Sequence, residues 1–137
     1  MSGLDQLLRL QRWTLDEKRR QAGDLEQLID QLVNDIAQLD AAVAREIEAA
    51  RTDIELQRAL LRYRRAMQER RARLERSLAD LRGELERLRD EIAEAFSELK
   101  KTDQTMKNRE QRQRLAERRR DQAISDEIGL QLHRRKV

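Results

Sequence analysis

The sequence contains no cysteine, no proline, only four glycines and only three aromatic residues, Trp13, Tyr63 and Phe96. Without cysteine there is no disulfide, no thiolate metal site and no thiol nucleophile, and nothing ties the chain to an oxidising compartment. Three aromatic side chains are too few to anchor a conventional globular core, where such residues supply much of the buried area. Long apolar runs are missing too. No stretch approaches the roughly 18 apolar residues of a membrane-spanning helix, and the opening MSGLDQLLRLQRW has no apolar stretch of the length expected of a signal peptide. The expectation is a soluble, cytoplasmic chain. A formal net charge of +3 is too small to argue for nucleic acid by itself.

What is present is charge and helix-forming residues. Charged residues make up 42% of the 137 positions. With Leu, Arg, Glu, Gln and Ala dominant and no proline, such a chain suits long helices with a narrow apolar seam.

Apolar residues recur at alternating spacings of three and four. A first seam runs through Leu4, Leu8, Leu15, Ala22, Leu25, Ile29, Leu32, Ile36, Leu39, Val43 and Ala50, with Gln11, Lys18 and Glu46 as its polar members. A second runs through Leu56, Leu60, Tyr63, Met67, Leu74, Leu78, Leu81, Leu85, Leu88, Ile92, Ala95, Leu99 and Met106. Arg70 interrupts it, and Arg70–Leu74–Leu78 contains two successive fours, a stutter. Repeats of this length are specific for a coiled coil.

The seams do not join smoothly across residues 51–55. Thr52 and Glu55 match a capping box, in which Thr52 accepts from the amide of residue 55 and Glu55 reaches back to that of residue 52. The predicted fold is all-α: a long antiparallel two-helix coiled-coil hairpin with a C-terminal helical overhang. Helix 1 spans about 4–50, the turn about 51–53, and helix 2 about 54–106, continuing into a charged overhang at 107–137.

Charge supports the fold-back. Residues 24–55 carry nine acids against two bases, and residues 58–76 carry eight arginines against two acids. Flanking charges of this kind choose orientation and partner. A turn at residue 52 sets Leu4 near Leu99, Leu8 near Phe96 and Val43 near Leu60 or Leu61, with a paired shaft roughly 70 Å long at 1.5 Å per residue. Residues 100–137 then have no partner in helix 1. They hold twelve bases against six acids, with a short stripe at Ile124, Ile128 and Leu132.

No catalytic constellation emerges. His133 is a lone surface histidine, the carboxylates form a solvated face, and the scattered glycines make no phosphate-binding loop. Gly23 and Gly83 fall nearly opposite each other in the predicted register. The expectation is a non-enzyme with no cofactor, no metal and no small-molecule ligand. Binding of nucleic acid by the basic overhang is an alternative, weakened by the absence of any aromatic stacking platform after Phe96. A generic scaffold or homo-oligomerisation module is another, and weak self-association fits either.

Trp13 is the informative residue. It falls at heptad position f, farthest from the partner helix, beside Leu7 and Leu10 and flanked by Arg9, Arg12, Arg19 and Arg20. Exposed tryptophan among arginines marks a contact site more often than inert surface.

The segment Leu8-Arg9-Leu10-Gln11-Arg12-Trp13-Thr14-Leu15-Asp16-Glu17-Lys18-Arg19-Arg20 resembles the N-terminal signature of FliJ flagellar export proteins, particularly of the alphaproteobacterial type. Ala95-Phe96-Ser97-Glu98-Leu99-Lys100-Lys101, before an Arg/Glu-rich C-terminal helix, is similar to the same family. The turn region lacks the longer insert the family pattern leads one to expect. The resemblance implies a two-helix stalk like the central shaft of rotary ATPases, in the flagellar type III protein export apparatus. Its open end would insert into the export ATPase hexamer and stimulate it. The shaft would link the hexamer to the membrane export gate and to export chaperones, holding the chain at the membrane through its partners. On that reading Arg9, Leu10, Trp13, Asp16, Glu17, Arg19, Arg20, Lys100 and Lys101 contact the ATPase, and Leu56, Tyr63 and Met67 contact partners at the tip.

Overall fold

The computed structural model describes residues 3–136, and all of them except Asp53 are helical. Helix α1 runs Gly3–Ala49, a single 3₁₀ turn covers Ala50–Thr52, and helix α2 runs Ile54–Lys136. The two long helices pack against each other as an all-α hairpin. No proline interrupts either helix. Asp5 lies in the first turn of α1, while His133, Arg134, Arg135 and Lys136 fill the last turn of α2. Those charges oppose the helix macrodipole at both places.

The turn is built by a different residue from the one expected. Asp53 is the extended residue, at φ −131° and ψ 114°. Its Oδ1 accepts from the amides of Glu55 at 3.0 Å and Leu56 at 3.4 Å, and its carbonyl takes the first backbone bond of α2, from Gln57 at 3.0 Å. Asp53 is therefore the N-cap, and the Thr52–Glu55 capping box does not form. Thr52 is still within the 3₁₀ turn, so its backbone is not in the extended conformation an N-cap needs.

The hairpin also pairs in a register one heptad away from that predicted. Lys18 bonds Glu91 at 3.2 Å, Glu26 meets Arg89 at 3.4 Å, and Asp40 takes Arg71 at 2.9 Å. Val43 shares a groove with Met67, not with Leu60 or Leu61, and Leu4 shares one with Met106, not Leu99. The cause is the turn. Ala50–Thr52 continue to climb at about 2 Å per residue as a 3₁₀ turn, so the chain reverses later than a symmetric turn at residue 52 would allow. Gly23 and Gly83 are consequently not opposite each other.

By its contacts the chain divides into two units, Thr14–Glu94 and Met1–Trp13 with Ala95–Val137. In the first, Ala22, Ile29, Leu78, Leu85 and Leu88 form the buried core, flanked by Leu25, Leu32, Ile36, Leu81 and Ile92. Seam position 71, not 70, is the half-buried one, because the stutter falls at Tyr63–Met67–Arg71. Arg71 keeps its stem against the seam while its guanidinium bridges Asp40 and Glu75. In the second unit Leu8 is buried on α1 and Thr102 on α2. Thr102 can sit there because its hydroxyl donates to the Glu98 carbonyl at 3.1 Å. Covered positions on α2 continue to Met106, so pairing extends past residue 100, and every residue from 107 to 136 is exposed.

Candidate docking faces

Heptad packing sorts side chains by angle around each helix, and the seam takes one narrow stripe. Whatever lies off that stripe faces outward whatever its chemistry, so large apolar residues off the seam are the ones that need explaining. In the unit containing both chain ends, Leu7, Leu10 and Trp13 stand on the outer face of α1. Trp13 is 62% exposed and Leu10 59%, although Leu8, between Leu7 and Leu10 in sequence, is buried. Arg9 and Arg12 are exposed around them. In the same unit Lys100 and Lys101 are exposed on α2. Lys100 Nζ lies 5.0 Å from the centroid of the Phe96 ring, and Lys101 pairs with Glu98 at 3.3 Å.

The remaining residues expected at this face belong to the other unit. Asp16, Arg19 and Arg20 are exposed and Glu17 is half-buried, its carboxylate accepting from Arg20 at 2.9 Å. Lys18 occupies a seam position, only 28% exposed, and reaches Glu91 at the edge. The expected ATPase-end residues are thus divided between the two units at Trp13 and Thr14.

At the turn, the residues expected to bind partners are only partly available. Leu56 is exposed, but Tyr63 and Met67 are half-buried on the seam, lining a groove with Leu39 and Ala42 of α1. Ile54 and Leu61 stand outward instead, 70% and 73% exposed. They are seven residues apart on one helix face, with Arg58 and Arg65 interleaved at spacings of four. A heptad reading could have found them, since neither lies on the seam.

Electrostatics are local. The hydrogen bond from Arg71, together with its positive charge, holds the Asp40 carboxyl below the usual carboxylate range, and the carboxylate in turn pushes Arg71 up. Among the described residues, no group of three or more His, Cys, Asp or Glu side chains is placed to hold a metal ion. No described helix is long and apolar enough to cross a membrane. The grooves along the hairpin are shallow channels between helices, lined by charged side chains.

These geometries define a helical hairpin with exposed apolar and basic faces. No protein-family model, curated protein or solved structure matches the chain.

Proposed function

We propose that this chain is a stalk component of a flagellar-type III protein export apparatus: a non-catalytic hairpin that docks into a hexameric export ATPase, raises its activity, and links it to the export gate and export chaperones from the cytoplasmic side. The observation that carries the reading is the Trp13 face. An indole and two leucines turned to water beside arginines, off the seam by which α1 packs, make a face suited to anchoring a partner. The choice of partner rests on the signature resemblance at residues 8–20 and 95–101. The long helical pairing supports it as well, because a stalk inside a ring needs stiffness and a charged surface but no active site. Ile54 and Leu61, with Arg58 and Arg65, form a separate face that suits the second contact a linker requires.

The experiment is steady-state ATP hydrolysis by a purified flagellar export ATPase, with and without the full chain. Stimulation by the native chain, reduced several-fold by Trp13→Ala with Leu10→Ala while helix content is unchanged, is the expected outcome. Absence of stimulation, or stimulation indifferent to both substitutions, would overturn the reading.

A further inference from the structure

All of residues 107–136 are exposed, and they carry ten bases against five acids. Ile124, Ile128 and Leu132 stack at spacings of four on this stretch, each more than half exposed. They lie between two basic clusters, Arg118-Arg119-Arg120 and Arg134-Arg135-Lys136. An apolar stripe on an otherwise polar helix loses stabilisation for as long as it stays in water, and a covering surface would restore it. A covering surface must also accept a net charge of +5.

Such a surface exists on the hairpin unit. Its paired segments 14–32 and 78–94 carry eleven acids against six bases, a net charge of −5. Along them runs a groove lined by Leu25, Leu28 and Leu88, with three acids, Asp24, Glu84 and the Lys18-paired Glu91, against one base, Arg87. Leu28 is off the seam and 48% exposed. A third helix laid between two packed helices would cover such a groove. Segments nearer the turn do not offer this match, since 33–49 with 60–76 hold eight bases against six acids.

We propose that the basic overhang of one copy docks in the acidic groove of a second copy, with Ile124, Ile128 and Leu132 over Leu25, Leu28 and Leu88. A second copy is required because α2 is unbroken from Ile54 to Lys136, and an unbroken helix cannot lie against its own earlier turns. The acids set the attraction and its salt dependence, and the leucines set the seat. Self-association of this kind stands apart from the Trp13 face and does not depend on which partner takes that face.

The test is sedimentation velocity of the full chain over roughly 1–100 µM, at about 25 mM and about 500 mM salt, where exposed charges are weakly and strongly screened respectively. The expected result is a mass above the monomer that grows with concentration at low salt and is lost at high salt. Arg118→Glu, Arg119→Glu and Arg120→Glu together should weaken association by at least about tenfold, as should Asp24→Lys with Glu84→Lys. Mixing the two variants should restore it, because each reversed overhang then meets a reversed groove. All five positions are exposed, and far-UV circular dichroism checks that helix content is kept. A chain that stays monomeric at low salt would overturn the proposal. So would association that neither variant weakens, or a mixture that associates no better than either variant alone.

Discussion

Single side chains divide cleanly by where the seam leaves them. Gln11 occupies a seam position, and its Oε1 is buried without a hydrogen-bond partner. A buried acceptor in that state costs the full desolvation of the group. Gln11→Leu should therefore stabilise the chain by about 1 kcal/mol or more. Leu85→Ala, in the buried core, should cost about 2–4 kcal/mol. Trp13→Ala should stay within about 0.5 kcal/mol of the native chain, because the indole faces water. Urea unfolding monitored by circular dichroism reads all three, and a large loss at Trp13 would move it into the core. Asp40 supplies a pH test. Its folded-state pKa lies below the unfolded one, so the stabilisation is complete above the unfolded value and disappears as pH falls through the folded value. Asp40→Asn should thus lower the melting temperature at about pH 7, with the difference from the native chain closing toward about pH 2.

Elements follow a coarser rule. Seam spacing and the lack of proline made both helices legible, and at every α1 seam position from Leu4 to Ala50 except Glu46 the side chain is at least half-buried. Register was not legible. The charge blocks that selected an antiparallel pairing are each about twenty to thirty residues long, so sliding one heptad leaves most of the attraction intact. What sets the register is the 3₁₀ turn and the Asp53 cap, worth about 1 kcal/mol but placed where it decides when the chain reverses. Thr52 and Asp53 are both good cap residues in the sequence, and only backbone conformation chooses between them. Introduced cysteines report the outcome without interference, as the chain has none of its own. Cysteines at Val43 and Met67 should form a disulfide readily, whereas those at Val43 and Leu60 should not, because a bridge needs Cα atoms within about 7 Å. Efficient bridging of the second pair would restore the symmetric turn.

At the scale of the whole molecule, composition determined a great deal by itself. Extreme charge, almost no aromatic area and two heptad seams leave an all-α hairpin as the way to bury apolar surface without a globular core. Sequence spacing likewise put Trp13 off the seam, and its exposure follows from helix geometry alone. Other features waited on tertiary contacts. Burial of Thr102 depends on a backbone acceptor that only a formed helix supplies, and Arg71 is drawn onto the seam by Asp40 across the hairpin. Exposure of Ile54 and Leu61, the half-burial of Tyr63 and Met67, and the point at which α2 leaves its partner all follow from the register. Helical periodicity is a local property, written in side chains three and four residues apart. Register is a property of two distant segments, and the geometry of the three-residue turn joining them sets it.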